Sequence, residues 1–241
     1  MKSVYKLIGF ITVAVIVFSM TACPMYDDID TRGVPKFVSV NYIDLHQRDA
    51  YGNFLIGTIS RFRSSEGHDY SDDFEKNRSM KHYFYSPGPG TMIYSPVNGT
   101  ITRIERENYE NSGFQIHIAS NDYPAFTFII FHFDPVKDFV FGEKVAKGKV
   151  LGSHSKNSNV YASDIAVVVK TSKGRRLVSY FETLTPEALK PFTDRLPDFM
   201  DKIIITKAER DANPLYLAGK DAFANADSDP LAKCVLLPNL P

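Results

Sequence analysis

Two matched stretches in the middle of the chain constrain its fold more than any other feature. The first, Thr91–Ile104, reads TMIYSPVNGTITRI, and the second, Phe141–Ser153, reads FGEKVAKGKVLGS. Each stretch combines a short run of β-forming residues with a glycine turn, and the second contains a Gly-x-x-Val-x-x-Gly step. Short strands separated by glycine turns are typical of β-sheet proteins. The two stretches therefore predict a β framework in the middle of the chain.

Strand signals continue on both sides of these stretches, and Gly or Pro turns separate most of them. They lie at Met92–Ser95, Gly99–Arg106, Phe114–Ala119, Ala125–Phe133, Lys149–Gly152, Ser163–Thr171 and Arg176–Phe181. The IAVVV run within Ser163–Thr171 is continuous and β-branched, which is typical of a fully buried central strand. Short strands at this density predict an all-β fold with an antiparallel, sandwich-like or barrel-like core.

Weaker signals flank this core. Lys36–Leu45 alternates as a strand does, and Tyr51–Ile59 predicts a second strand after a polar turn. Thr185 is followed by proline and glutamate, which is the pattern of a helix N-terminus, so we expect a short helix through Lys190. Two further stretches have weak helical character, Lys207–Asn213 and Leu217–Asn225.

Residue types that bind zinc lie around the two matched stretches. They are His68, Asp72, His82, His132 and Asp164. Zinc accepts imidazole nitrogen and carboxylate oxygen, usually in a four-coordinate site, and a catalytic site keeps one position for water. The metal lowers the pKa of that water and polarises a scissile carbonyl, while a nearby histidine moves protons or stabilises the oxyanion. If these side chains converge, they predict a zinc site.

The stretch from about Gly67 to Phe181 resembles the LytM/lysostaphin-type zinc peptidases, which share the duplicated hybrid motif fold and cut peptide cross-links in bacterial peptidoglycan. The resemblance covers about half of the mature chain. Four segments carry it, in the order found in the family: His68-x-x-x-Asp72, the GTMIYSPVNGTI hairpin, Phe131-His132-Phe133 and the GEKVAKGKVLG turn. The resemblance implies a divergent duplicated hybrid motif core.

The first half of the implied site departs from the family pattern. In the family the H-x-x-x-D pair lies close before the hairpin, whereas Asp72 lies much further upstream. Either His68 and Asp72 begin a looped insertion, or the equivalent positions hold Met80 and Phe84 and His82 has taken over nearby.

The second half departs as well. The H-x-H strand of the family falls near Ala162-Ser163-Asp164, so the resemblance puts Ala162 in place of a catalytic histidine and Asp164 in place of a zinc-binding one. It implies zinc held by His68, Asp72 and Asp164 with His82 as a competing ligand, and catalysis assisted by His132. Each residue also has an ordinary structural interpretation, such as an aspartate that bonds its own loop or a hydrogen-bonded core histidine.

The N-terminus predicts a lipoprotein signal. A positively charged start precedes the apolar run Leu7–Phe18, which is too short for a comfortable membrane span. The SMTAC sequence then resembles a bacterial lipobox, which implies acylation of Cys23 and stable anchoring by several acyl chains. Pro24 after the cysteine favours the outer membrane, with the domain facing the periplasm. An uncleaved anchor and a plain secretory signal are the alternatives.

Composition limits the partners and the covalent structure. Lys plus Arg and Asp plus Glu each total 28, so no charge excess indicates nucleic-acid binding. Cys234 is the only cysteine besides Cys23, so the mature domain can form no disulfide of its own.

These patterns divide the chain into a signal peptide at 1–22, a tether at 23–35, a LytM-like β domain at 36–183 and a C-terminal extension at 184–241 that either wraps the core or is partly disordered. Two functions stay open. One is a zinc endopeptidase acting on peptidoglycan cross-links. The other is a non-catalytic module that binds peptidoglycan or regulates another cell-wall hydrolase. The alanine at 162 favours the module, and convergence of the surviving histidines and aspartates favours the enzyme.

Overall fold

The computed structural model describes residues 26–88, 90–107, 113–155, 161–219 and 221–239. The α-helices are α1 (Ile29–Arg32), α2 (Pro186–Arg195), α3 (Phe199–Ile203) and α4 (Lys207–Ala212), and short 3₁₀ helices span Tyr180–Thr183 and Ala226–Ser228. None of the helices in these ranges combines the length and the apolar character that crossing a bilayer requires.

Strands make up most of the regular structure in the described ranges. They are β1 (Thr58–Ser60), β2 (His82–Tyr85), β3 (Met92–Tyr94), β4 (Gly99–Arg106), β5 (Phe114–Ser120), β6 (Phe126–Pro135), β7 (Lys144–Val145), β8 (Val150–His154), β9 (Ala162–Thr171), β10 (Gly174–Val178), β11 (Leu217–Ala218), β12 (Ala222–Phe223) and β13 (Cys234–Leu236).

Eleven of these strands form one antiparallel sheet. Its main path runs β13-β1-β2-β9-β6-β5-β4-β7, with β10 paired to β9 and β8 joining β3 to β6. The remaining two strands, β11 and β12, form a separate hairpin. The prediction of an all-β, antiparallel fold is confirmed, and the described strands do not close into a barrel.

The two matched stretches lie side by side in this sheet. β3 and β4 come from the first stretch and pair with β8 and β7 of the second. Glycine is required where the backbones approach closely, because a Cβ atom at Gly152 would collide with the carbonyl oxygen of Asp134. A Cβ atom at Gly99 would lie only 2.6 Å from the carbonyl oxygen of Ala119. Glycines of the two stretches thus permit close contacts between strands of the sheet.

β6 and β9 are buried on both faces. Phe128 and Val167 face the main core, whereas Ile129 and Ala166 face a smaller apolar cluster on the other side. Full burial of a valine, isoleucine or phenylalanine side chain contributes about 1.5–3 kcal/mol to folding. Two-sided burial explains why the β9 sequence is a continuous apolar run instead of an alternating one.

Two of the early strand predictions need correction. Lys36–Leu45 does not form a strand, because only isolated bridges such as Val38 to Leu184 and Ile43 to Ile93 tie it to the fold. Its alternating side chains reflect burial along an irregular path. Tyr51–Ile59 is irregular up to residue 57, and only its end belongs to β1.

The helical predictions have mixed outcomes. Thr185 caps α2 by accepting a hydrogen bond from the N–H of Ala188, and the helix continues beyond Lys190. The Lys207–Asn213 prediction corresponds to α4. The Leu217–Asn225 prediction is wrong, since this segment contains the β11–β12 hairpin.

The segments on either side of the predicted β domain are part of the fold where the structure describes them. Ile29 of the predicted tether joins the main core, and Asp27 donates its backbone N–H to the carbonyl of Lys170 at 2.9 Å. In the C-terminal extension, Phe192 and Phe199 are fully buried in the core and β13 pairs with β1. The predicted signal peptide and Cys23 lie outside the described residues.

Candidate functional site

Three adjacent strands, β2, β9 and β6, position the polar side chains of the site. Asp164 on β9 is in register with Tyr83 on β2 and with Phe131 on β6. Lys81 directly precedes β2, and His132 follows Phe131 along β6. Asp164 is completely buried, so its carboxylate requires a partner to offset the loss of water.

That partner is Lys81. Its Nζ lies 2.5 Å from Oδ2 of Asp164, and its side chain is 1% exposed. The same ammonium group lies 3.2 Å from Nε2 of His68. A lysine ammonium has three donors and no acceptor, so it donates to the carboxylate and to the imidazole nitrogen.

Aromatic rings enclose the rest of the Lys81 ammonium group. Its nitrogen lies 5.1 Å from the ring centroid of Tyr70, 4.7 Å from that of Tyr83 and 4.5 Å from that of Phe131. Cations within about 6 Å of a ring face are attracted by its quadrupole. The rings therefore favour the charged lysine and leave it little space to swing away from Asp164.

His68 reaches the site from a loop that the C-terminal extension supports. It forms an isolated bridge with Ala222 of β12, and its Nδ1 lies 3.0 Å from the carbonyl oxygen of Asp69. Burial, and then the charge of Lys81, lower the pKa of His68. The imidazole is therefore neutral, with Nδ1 as the donor and Nε2 accepting from Lys81.

His132 lies on the other side of Asp164. Its Nδ1 is 2.5 Å from Oε2 of Glu107, and its Nε2 is 3.4 Å from Oδ1 of Asp164, which is an ion-pair contact longer than a hydrogen bond. Burial alone would lower the pKa of His132, but the charge of Asp164 and the hydrogen bond and charge of Glu107 outweigh it and raise the pKa to about 9. His132 is therefore an imidazolium at neutral pH.

The backbone at His132 is unusual. Its φ angle is +61°, in the left-handed region that residues other than glycine seldom occupy. This conformation costs roughly 1–3 kcal/mol and persists where surrounding contacts enforce it. Here the contacts are those with Glu107 and Asp164, which hold the imidazolium at the surface of the site with 29% of its side chain exposed.

An open cleft of about 810 Å³ lies over this cluster. Lys81 and the three rings around it lie at its base, between His68 and His132. Polar residues complete its wall: Glu105, Arg106, Glu107, Gln115 and Asp221. The cleft therefore combines apolar faces with groups of both charges.

His82 does not share this cleft, which corrects its interpretation as a competing zinc ligand. Strand alternation turns its side chain to the opposite face from Lys81. Its Nδ1 lies 2.8 Å from the carbonyl of Ser60 and its Nε2 lies 2.8 Å from Oγ of Ser179. Burial lowers the pKa of His82 to about 4. It is a neutral, hydrogen-bonded core histidine.

Asp72 does not reach the cluster either, so the expected pairing of His68 with Asp72 as ligands needs correction. Its Oδ1 accepts the backbone N–H groups of Phe74 and Glu75, each at 2.8 Å, and its Oδ2 accepts the N–H of Leu177 at 3.0 Å. The carboxylate stabilises its own loop and fastens that loop to β10, as aspartates in turns commonly do.

The residues that do converge do not fit zinc. Within the described ranges, no group of three or more His, Cys, Asp or Glu side chains is arranged to hold a metal ion. His68 and Asp164 approach each other, but the ammonium of Lys81 occupies the space between them. At about 3 Å and an effective dielectric constant of about 20, repulsion between this ammonium and a divalent cation would cost on the order of 10 kcal/mol.

The sequence analysis missed Lys81 and Glu107. Lys81 lies in the apolar, aromatic SMKHYFY segment, where a lone lysine is the signal that could have identified it. Lysine is almost never fully buried unless it is paired, so a lysine at the start of a buried strand implies an acidic partner. Glu107 follows the end of β4 and has no comparable signal.

No protein-family profile and no curated protein sequence matches the chain. Solved structures that resemble it include the catalytic domain of lysostaphin from Staphylococcus simulans, with 16% identity and a TM-score of 0.34 over 48% of this chain and 94% of that one. LytU shares 19% identity with a TM-score of 0.37 over 64% and 94% of the two chains. A zinc-containing peptidase from Vibrio cholerae shares 17% identity with a TM-score of 0.34 over 56% and 44%.

The chain spans only about half the length of some of these proteins, covering 52% of lysostaphin and 44% of a lytM protein from Ruminococcus gnavus. These neighbours are of the LytM/lysostaphin type, which is the family that the sequence motifs resemble. The predicted resemblance to a divergent LytM-like domain is confirmed at this level. This similarity is too low to indicate an activity. The chemistry available to this chain depends on the cluster around Lys81.

Proposed function

We propose that this protein is a lipid-anchored, LytM-like module of the bacterial cell envelope that binds peptide chains of peptidoglycan without hydrolysing them. One observation carries the proposal: the ammonium group of Lys81 lies 2.5 Å from Asp164 and 3.2 Å from His68. A lysine cation thus occupies the position between two side chains that a zinc ion would need.

The same contacts engage the groups around Lys81 that could act as a general base. Hydrolysis requires a group that accepts a proton from water. The free electron pair of His68 at Nε2 faces Lys81, and the carboxylate of Asp164 is buried against the same cation. His132 carries its proton at neutral pH because its pKa is about 9, and Glu107 is paired with it. The cleft is therefore built to present fixed charges and donors.

The shape and lining of the cleft suit the binding of a peptide. The cleft is open, about 810 Å³ in volume, and lined by aromatic faces together with charged and amide side chains. Such a mixture fits an extended peptide, whose backbone offers donors and acceptors and whose side chains offer apolar surface. The positive charge of His132, whose side chain is 29% exposed, can attract a carbonyl or carboxylate oxygen of the bound peptide. In this role the residue that matches a catalytic histidine of the family becomes a binding residue.

The cellular setting belongs to the same proposal. A lipid on Cys23 would hold the module at a membrane, and Pro24 favours the outer membrane with the domain facing the periplasm. Peptidoglycan is the peptide-containing polymer within reach of such an anchor. A module that grips it without cutting could also present it to a cell-wall hydrolase.

Purified peptidoglycan tests the proposal. The full chain should sediment with peptidoglycan, and no soluble peptides should appear with or without added zinc. His132→Gln should weaken sedimentation several-fold, whereas His46→Gln, on an exposed loop away from the cleft, should leave it unchanged. Release of cross-link peptides that depends on zinc and is lost in Asp164→Ala would overturn the proposal in favour of the zinc endopeptidase.

A further inference from the structure

The folded domain begins very close to the predicted lipid. The backbone N–H of Asp27 bonds the carbonyl oxygen of Lys170 at 2.9 Å, and Ile29 is buried in the main core. Only three residue steps separate Cys23 from Tyr26, where the described chain begins. Three steps of fully extended chain span about 10 Å. If Cys23 carries the lipid of the proposed function, the surface around Asp27 must lie next to the bilayer.

That surface is basic. Asp27 contacts the tip of the β9–β10 hairpin, which carries Lys170, Lys173 and Arg175 as exposed residues. Lys170 and Arg175 are direct cross-strand neighbours, so their side chains share one face of the hairpin. Three cations are thus presented beside the point where the chain enters the fold.

Aromatic side chains lie on the same surface. Tyr26 is 53% exposed and Phe74 is 39% exposed. Phe74 belongs to this region because its ring lies 3.4 Å from the position that a Cβ atom on Gly174, at the turn of the hairpin, would take. Tyrosine, with an apolar ring and a polar hydroxyl, is enriched at the level of lipid headgroups, and the ring of Phe74 adds apolar surface.

Acids near the hairpin tip offset part of this charge. Asp27 pairs with Arg32 at 2.7 Å, and Asp30 pairs with Arg176 at 2.6 Å. Asp73 is exposed and accepts the backbone N–H of Arg175 at 2.6 Å, which leaves its negative charge in place. Asp28 is exposed as well. The three cations therefore outnumber Asp28 and Asp73, and a small positive excess remains at the tip.

We infer that this docking face, formed by Tyr26, Phe74, Lys170, Lys173 and Arg175, lies on an anionic lipid surface. The short link to Cys23 brings the face to the bilayer, and its charge complements acidic headgroups. Each lysine or arginine near such a surface strengthens binding about fivefold. A lipid and a basic patch act together as two membrane signals. The module would then lie flat on the membrane in one orientation.

Chemical labelling tests the orientation directly. The lipidated chain is reconstituted in vesicles of phosphatidylcholine with phosphatidylglycerol, and an amine-reactive reagent is applied briefly. Lys170 and Lys173 should be labelled several-fold more slowly than in a chain that begins at Pro24 and carries no lipid. Lys144 on β7 and Lys149 just before β8 should be labelled equally in both. Equal labelling of Lys170 and Lys173 in both forms would overturn the inference.

Charge reversal supplies an independent test. At low salt, the chain that begins at Pro24 should bind vesicles containing phosphatidylglycerol more than vesicles of phosphatidylcholine alone. The double variant Lys170→Glu/Lys173→Glu should lose about tenfold or more of that binding, whereas Lys144→Glu/Lys149→Glu, with the same change in net charge, should lose little. Equal losses in the two variants would refute a specific face.

The two proposals can fail separately. His132→Gln, which should weaken peptidoglycan sedimentation, should leave vesicle binding and lysine labelling unchanged. The mass of the N-terminal peptide reports acylation of Cys23. An unmodified Cys23 in the bacterial membrane fraction would overturn the docking inference, because the short link to the lipid is its premise, and would leave the peptide-binding cleft unaffected.

Discussion

Lys81 and Asp164 form a completely buried ion pair between neighbouring strands, with 2.5 Å between Nζ and Oδ2. Asp164 is one of the residues for which the sequence resemblance implied a role as a zinc ligand. A buried pair of this kind is weak evidence for extra stability, because removing both charges from water costs as much as their attraction returns. The importance of the pair is chemical, because the ammonium of Lys81 neutralises one candidate zinc ligand, Asp164, and contacts the second, His68.

Removing the cation alone should destabilise the protein strongly. Lys81→Met leaves the Asp164 carboxylate buried without its partner, and breaking such a pair typically costs about 3–5 kcal/mol. Urea denaturation should show this loss in the free energy of unfolding. The double variant Lys81→Met/Asp164→Asn removes both charges and should recover much of it. A single variant that loses less than about 1 kcal/mol would contradict the tight pairing.

Replacing the lysine by a ligand should create a metal site. Lys81→His removes the ammonium and adds an imidazole beside His68 and Asp164, which together provide three zinc-binding groups. Zinc should then raise the melting temperature of the variant and leave that of the native chain unchanged. Lys149→His, at an exposed position, is the matched control. No zinc response in a folded Lys81→His variant would argue that these side chains do not share one centre.

The raised pKa of His132 should make stability fall in mild alkali. The imidazolium is held by Asp164 and Glu107 with a folded pKa of about 9, compared with about 6.5 when unfolded. Its contribution is therefore complete below about pH 6.5 and is lost as the pH rises through about 9. The effect is on the order of 3 kcal/mol at most. NMR titration of the imidazole and unfolding at several pH values check this.

A variant of Glu107 separates this effect from other titrations. Glu107→Gln removes one of the two negative charges that face His132, so the pKa of His132 should fall and the alkaline loss of stability should begin at lower pH. An unchanged pKa in this variant would show that the contact with Glu107 is not formed in solution.

His82 should make stability depend on pH in the acid range. Burial holds its folded pKa at about 4, so between about pH 6.5 and 4 the unfolded chain binds a proton that the folded chain does not. Stability should fall across this window as the pH decreases. His82→Asn should reduce the slope of that fall, at a cost of about 1–3 kcal/mol from the lost contacts with Ser60 and Ser179, and should leave peptidoglycan sedimentation intact.

Much of the architecture could be predicted from local pattern. The two matched glycine-containing stretches predicted strands that pair with each other. The β-branched run at residues 165–169 predicted the buried strand β9. The irregular segment 36–45 could not be predicted as such. Its sequence alternates, but whether an alternating segment finds a continuous partner strand depends on tertiary pairing.

The site was predicted only in part. Asp164 and His132 approach each other at the cleft, because the strands that carry them pair over many residues. His82 and Lys81 are adjacent in sequence, but their side chains lie on opposite faces of the sheet. The sequence indicated His82 because histidine binds zinc, whereas Lys81 is the residue that lines the cleft. Asp72 was predicted as a ligand from its spacing to His68, but its carboxylate accepts hydrogen bonds from backbone N–H groups of its own loop.

Zinc titration of the purified native chain tests the central claim most directly. Calorimetry and metal analysis should find no stoichiometric zinc, and zinc should not raise the melting temperature, because Lys81 fills the space between His68 and Asp164. Tight, stoichiometric zinc binding that disappears in Asp164→Ala would contradict this account and restore the metallopeptidase interpretation.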